Sequence, residues 1–516
     1  MGRNPKVKFG TGQFDYDLIC IGAGIGGLAT SAIIAKEGLK VLVLEQSDLI
    51  GGCCSTYDDN GYKLDVGASI VELIDPMKEV FKLCGKKAED YMQLISCDPI
   101  YAFVNEKGEK FAYPVDWDKT VEVISKIDPH DGRNFKKFAE KGRKSIEKYI
   151  APMLSIPNQT LSDALKLSLK YPGLMFDLIP KMIMTHETVI RKYFRHPTVL
   201  GSMAFQSYFV GATPELCPGF LGLIALTEHY GIWYPKGGMV AIPNGLAKMG
   251  KEFGVEIRLK TQVDRILLDK NNVVKGVRTT DGKQITAPLV LSNVSAITTY
   301  KHMIGRENLP WHINIGINSY TPSMGCPMIY IGLDKKPDLN AHHTMLATSL
   351  EQLNQSWYDY KSDVVPREGA GQSLVCWPTD ADPDLAPKGH HIVNFIYNGP
   401  LPYAPIGTNW DLLKPKYQEE AINFFDRVFC PGIKKHITFV KVSTPLDFER
   451  RLLAPRGCIY GLDFDILTVG PMRPRSRSWA VKNLYLVGAS THMSGGIPTV
   501  MSSALITSNL IKEDHL

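Results

Sequence analysis

Long apolar runs are missing from this 516-residue chain: no uninterrupted stretch approaches the ~18 residues that a membrane-crossing helix needs. Paired cysteine spacing is missing too. The ten cysteines (20, 53, 54, 84, 97, 217, 326, 376, 430 and 458) are scattered without the spacing of metal ligands, which predicts reduced thiols, no metal and a cytoplasmic setting. The opening MGRNPKVKFG lacks the apolar core of a signal peptide, so the sequons at Asn158, Asn293 and Asn354 are expected to be coincidental. An excess of one charge is lacking: a net charge of +5 on 58 basic and 53 acidic residues argues against a nucleic-acid partner. Absent as well are a Ser/His/Asp order, a paired-carboxylate motif and H-E-x-x-H. The length itself exceeds one compact core, so two or more structural units are expected.

What the chain does have is glycine in telling places. From Tyr16, YDLICIGAGIGGLATSAIIAKEGLKVLVLEQ reads as an apolar strand, a glycine turn, a helix, the stop signal Gly38 and a second apolar strand, a βαβ unit in outline. Gly22, Gly24 and Gly27 fall on G-x-G-x-x-G, with Ala23 and Gly26 between them. The first allows the tight turn, the second lets backbone approach a pyrophosphate, and the third lets helix pack on strand. The helix N-terminus then offers unpaired N–H groups to phosphate. Glu45, 18 positions past Gly27 and followed by Gln46, sits where a carboxylate accepts hydrogen bonds from both ribose hydroxyls and repels a 2′-phosphate, which disfavours NADP. The competing reading, an ordinary tight turn with a helix behind it, does not account for the acid or the second strand.

The continuation separates FAD from NAD. A second glycine pair, Gly51 and Gly52, predicts that Cys53, Cys54, Ser55 and Thr56 wrap the chain back over the pyrophosphate. GYKLDVGAS then returns it towards the flavin ring through Val66, Gly67, Ala68 and Ser69. From Gly254, alternating strands are expected with turns at Asn271-Asn272 and Asp281-Gly282. Near the C-terminus, NLYLVGASTHMSGGIPTVMSSALITSNLI reads as a strand, a turn at Gly488 and Ala489, the pair Gly495 and Gly496, and a helix starting near Ile497 and Pro498. That helix N-terminus, aimed at the flavin N1–C2=O edge, would stabilise the anionic reduced ring.

Taken together, GAGIGGL, the second Gly-Gly with its small residues, LDVGAS, YPKGGMVAIPNGLA, APRGCIYGLDFD and NLYLVGASTHMSGGIPTVMSSA resemble the phytoene desaturase superfamily of FAD-dependent enzymes. The resemblance implies an α/β fold: a Rossmann-type FAD-binding domain assembled from residues 10–97, 231–298 and 445–516, with an inserted α+β substrate-binding domain of residues 98–230 and 299–444. It also implies FAD as cofactor, Val263 against the adenine, and an apolar lipid substrate. No second G-x-G-x-x-G unit appears, so electrons are expected to pass through an external donor or acceptor such as a quinone.

The reaction is less sharply indicated. Many superfamily desaturases and amine oxidases carry Gly-Gly-Arg where this chain has Gly51-Gly52-Cys53, whereas carotenoid isomerases resemble Gly-Gly-Ser-Ser and retinol saturases Gly-Gly-Cys-Cys. This leans towards saturation or cis-trans isomerisation of C–C double bonds in a polyisoprenoid. Oxidative desaturation, amine oxidation and a non-catalytic prenyl carrier like the Rab GDP-dissociation inhibitors are the alternatives. Cys53 and Cys54 read as small residues at the phosphate turn, since adjacent cysteines form strained disulfides and a metal would need further ligands. Glu72 is a candidate proton donor, with a solvated loop acid as its plainer account. His492, in STHMSGG, is a second candidate or a turn histidine satisfied by backbone. Residues 145–194, rich in Leu, Ile, Met and Phe and interrupted by Pro152, Pro157, Pro172 and Pro180, predict short broken helices. Beside them lie Arg133, Lys136, Lys137, Lys141, Arg143, Lys144 and Lys148. Either these form a patch for peripheral membrane contact beside an apolar entrance, or they are the solvated face of a helix.

Overall fold

The computed structural model describes the chain except for residues 1–3, 11, 106, 151–159, 174–175, 177–179, 182, 211, 362–372, 398–408, 465–467 and 469–471. Pro152, Pro157 and Asn158 therefore lie outside the described residues. The sequence LICI forms β1 (Leu18–Ile21) and VLVL forms β2 (Val41–Leu44), with every residue of both buried. Unbroken apolar strands of this kind belong in a parallel sheet covered on both faces. Three more join them: β3 (Glu256–Arg258), β4 (Leu289–Ser292) and β5 (Leu484–Leu486). The order is β3-β2-β1-β4-β5, with all pairs parallel.

Side-chain alternation, period two along a strand, decides what each face meets. Leu18 and Cys20 point into a helical layer, where α1 (Ile25–Lys36) packs against α2 (Ala241–Glu252) and α3 (Ile497–His515). Ile19 and Ile21 point the other way, onto the antiparallel strands Val263–Leu268, Val274–Thr279 and Gln284–Thr286. Helix α1 is buried from Ile25 through Ala35, as befits a helix apolar all round.

Among the described residues, a second sheet of seven strands runs in the order 437–443, 328–333, 391–396, 374–376, 343–346, 101–104, 110–113. Its pairs are antiparallel except 343–346 with 101–104. These strands all come from the two segments expected to carry the substrate, while β1–β5 all come from the other three. The basic stretch forms a helix, Pro129–Ser145, started by Asp128, whose carboxylate accepts from the N–H groups of His130 and Asp131. It buries Phe135, Phe138 and Gly142 and exposes all of its expected cations. Asn354 is engaged with Thr213 and Glu187, which leaves its sequon committed to internal bonding.

Candidate functional site

A cavity of about 490 Å³ opens where the carboxyl ends of the parallel strands converge, the usual place for a ligand in such sheets. Gly22 (φ +95°) turns the chain out of β1 while its N–H donates to Leu44 O at 2.8 Å. A Cβ on Gly27 would sit 2.5 Å from Gly22 O, so only glycine lets α1 approach this closely. The second glycine pair is clasped onto the first: Gly51 N–H donates to Ala23 O at 2.8 Å, and Gly24 and Gly51 form a β-bridge.

Of the expected cofactor residues, Gly22, Gly24, Gly26, Glu45, Gln46, Gly51, Gly52, Cys53, Cys54, Gly67, Ala68, Ser69, Val263, Gly488, Ala489, Gly495, Gly496, Ile497 and Pro498 line the cavity. Ala23, Gly27, Ser55, Thr56 and Val66 do not; they build its wall. Ala23 N–H donates to Glu45, Ser55 Oγ donates to Gly52 O, Thr56 Oγ1 donates to Asp65, and Val66 N–H donates to Ser55 O.

Glu45 is held by Ala23 N–H on one oxygen (2.8 Å) and Ser47 N–H on the other (2.9 Å). Burial raises its proton affinity and those N–H donors oppose the rise. Each oxygen keeps a lone pair for a ribose hydroxyl. Cys53 and Cys54 sit in the short turn Gly52–Cys54, unbonded to each other. Cys54 Sγ donates to Met239 O at 3.4 Å, and burial pushes Cys53 up to about 11 and Cys54 well above the usual thiol range. Thiols this reluctant to ionise are poor nucleophiles. Replacing both by Ser is therefore expected to leave bound flavin and most turnover intact, and loss of turnover with flavin retained would implicate a thiol in chemistry.

The sequence reading missed Arg451. Helix Pro445–Leu452 begins with a capping box between Thr444 and Asp447 and ends in two arginines with opposite fates. Arg450 turns out to Asp411 (2.9 and 3.2 Å), whereas Arg451 turns into the cavity, donates to Ser55 Oγ and stacks on Tyr57 at 4.4 Å. Its Nη1 is buried and has no partner. A buried guanidinium nitrogen left open beside two glycine turns and a helix N-terminus fits a diphosphate. The arginine missing after Gly51-Gly52 is thus replaced from another segment. Asn293 was missed also: it lies beside Gly22, Gly24, Gly26, Gly27 and Gly488 and lines the cavity, so its sequon belongs to this site.

The flavin-side end departs from expectation at Glu72. It is no solvated loop acid: it ends the short strand Val71–Glu72, lines the cavity, and its Oε2 is buried without a partner. Burial raises it to about 7, against a hydrogen bond with Thr227. His492 also lines the cavity, buried in a turn where its N–H donates to Pro474 O at 3.1 Å. Beyond them the wall becomes apolar, with Phe209, Phe220, Leu221, Leu374, Ile396 and Phe464.

This construction agrees with the model of the flavin containing amine oxidoreductase family, which matches residues 25–512. The chain belongs to that family. Within it, the phytoene desaturase (lycopene-forming) of Pantoea ananas is 26% identical over 96% of this chain and 98% of its own. The zeta-carotene-forming phytoene desaturase of Myxococcus xanthus is 28% identical over 96% and 94%. A solved oxidoreductase from Methanosarcina mazei shares the fold, with a TM-score of 0.59 at 17% identity, covering 96% of this chain and all of that one. The family member described here is a phytoene desaturase-like, FAD-dependent oxidoreductase.

Proposed function

We propose that the protein catalyses oxidative desaturation of a C–C unit in an apolar polyisoprenoid. The observation that carries this is the cavity itself, which joins a dinucleotide cradle to an aromatic and aliphatic chamber. The lean towards saturation or isomerisation rested on Gly-Gly-Cys-Cys, as in retinol saturases, standing where many desaturases carry Gly-Gly-Arg; Arg451, entering from another segment, weakens the part of it that concerns the arginine. The relatives named above are desaturases, which supports the same direction.

Glu45 would hold the ribose, Arg451 and the glycine turns the diphosphate, and the N-terminus of α3 the ring edge. When bound, FAD supplies a two-electron acceptor that takes one hydrogen with its electron pair. The chain's own part is to keep an apolar substrate extended against the ring and to exclude water, which Phe209, Phe220 and Phe464 do by filling the wall. The division at residues 98, 231, 299 and 445 is the proposed boundary between cofactor and substrate domains. Peripheral membrane contact is proposed as the route of substrate entry: the exposed cations of Pro129–Ser145 accompany Leu165 and Leu169, 63% and 74% exposed on the helix Leu161–Lys170. Among the described residues no helix is long and apolar enough to cross a membrane. A quinone is the proposed external acceptor.

Anaerobic incubation of oxidised and photoreduced enzyme with a host lipid extract, followed by mass spectrometry, tests the reaction. Two hydrogens lost to the oxidised enzyme are expected. Two hydrogens gained, or an isobaric product formed only by the reduced enzyme, would overturn desaturation.

A further inference from the structure

A second buried carboxyl lies close enough to Glu72 for the two charges to repel. Glu228 opens the turn Glu228–Tyr230, which leads into the strand Ile232–Pro235, and the pairing of Glu72 with Ile232 brings the two acids to the same place. Glu228 is 2% exposed. Tyr101, which lines the cavity, donates to its Oε1 at 2.8 Å, and Gln206 Nε2 donates to its Oε2 at 3.3 Å. Among the described residues no Lys or Arg hydrogen-bonds or ion-pairs with either carboxyl. The other titratable neighbours add no positive charge. Tyr460 stays protonated through burial, and His343, whose ring centroid lies 6.1 Å from that of Tyr101, is kept neutral by burial and by His342.

We propose that Glu72 and Glu228 hold a single proton between them, and that Glu72, the member facing the cavity, is the catalytic group that exchanges a proton with the substrate's C–C unit, with Glu228 and Tyr101 as positioning residues. Two buried acids without a counter-cation cannot both ionise, so the pair titrates as a unit. Burial raises Glu72, and burial together with the charge of Glu72 raises Glu228.

The inference rests on the desaturation reading for its direction. The hydrogen that FAD does not take leaves as a proton. Its C–H bond breaks, the electron pair stays on carbon as the new π bond, and the proton goes to Glu72 Oε2, the carboxyl oxygen that has no protein partner. Glu72 must then start each turnover ionised, so the rate is expected to rise with pH as the pair gives up the first of its two protons, near 7. Among the described residues lining the cavity the one other carboxylate is Glu45, committed at the far end to Ala23 and Ser47.

Glu72→Gln, Glu72→Asp, Glu228→Gln and Tyr101→Phe chains, purified with and without FAD, provide the test. Infrared difference spectra of the flavin-free natural chain should show a protonated carboxyl titrating in the neutral range. That signal should be removed or displaced by either Gln substitution alone, because each acid sets the other. The Glu72→Gln holoprotein should keep its FAD and lose about a hundredfold or more in kcat, the usual reach of general acid–base catalysis. Glu72→Asp should recover part of it, and Tyr101→Phe should shift the pH profile rather than abolish turnover. A Glu72→Gln enzyme with natural kcat and pH profile, or a flavin-free chain with no titrating carboxyl, would overturn the proposal. A natural enzyme that adds hydrogen, with the pH slope inverted, would overturn desaturation yet uphold Glu72 as the proton-exchanging group.

Discussion

An Arg451→Leu chain is expected to bind FAD about ten- to a hundredfold more weakly than the natural protein. Hydrogen bonds to charged groups contribute about 1.5–3 kcal/mol, and each 1.4 kcal/mol is about tenfold in affinity. Arg451 is the sole Lys or Arg among the described residues lining the cavity, so no neighbour can take over its charge. Its open Nη1 means that part of this gain exists only with ligand present. Titration of flavin-free protein, followed by flavin fluorescence, reads the effect directly. ADP should lose affinity in parallel with FAD, whereas adenosine, which lacks the diphosphate, should not. Arg451→Lys should fall between the two, because it keeps the charge and loses the planar fork. Natural affinity for both FAD and ADP in the Leu variant would remove the diphosphate assignment.

The second large effect is on stability. Asp65 is 1% exposed and accepts three hydrogen bonds: from Thr56 Oγ1 at 2.7 Å, from Met239 N–H at 2.9 Å and from the Tyr234 hydroxyl. It ties the hairpin 56–65 to the turn that starts α2, and so fixes the chain on both sides of the phosphate wrap. Asp65→Ala leaves three buried donors open at about 1–3 kcal/mol each, partly offset by removal of a buried charge. A net loss of about 3 kcal/mol is expected, read as a lower thermal midpoint of the flavin-free chain. Burial raises Asp65 to about 6, above its unfolded value. The native state therefore holds this proton more tightly, and the stability it contributes at low pH declines as pH rises from about 4 through about 6. Asp65→Asn, uncharged and still an acceptor, should be milder than Asp65→Ala at neutral pH. An Asp65→Ala chain as stable as the natural one would show that the three donors find other partners.

Strands β1 and β2 were legible because burial on both faces leaves an unbroken apolar run that no half-exposed element tolerates. The glycine turns and Glu45 were legible because close approach and ribose chemistry restrict residue type at fixed spacing. Arg451 was not, for its role depends on where a distant helix ends, and Arg450 beside it looks identical in sequence. Glu72 misled for a related reason: nothing in VELIDP shows that the acid pairs with Ile232 and meets Glu228. Asn293 was hidden by an unrelated pattern, since N-V-S suggests glycosylation while the side chain lies between two glycine turns in the cavity wall. The argument from Gly-Gly-Cys-Cys was a local one: it treated a vacancy in one segment as a vacancy in the site, and Arg451 enters the same cavity from another segment.

The parallel sheet has a further consequence for how the molecule is made. Strand β4 lies at its centre-right, yet its outer neighbour β5 is contributed by residues 484–486 and followed directly by α3. While the chain emerges from the ribosome, β4 remains an open edge with unpaired backbone groups, an invitation to wrong pairing, until the nearly two hundred residues that separate it from β5 are synthesised. The phosphate-side arginine, Arg451, precedes β5 closely and the ring-side helix follows it directly. A cradle for the whole cofactor therefore waits for β5 and α3, and a chain cut short before β5 loses the outer cover of its sheet together with the ring-side helix.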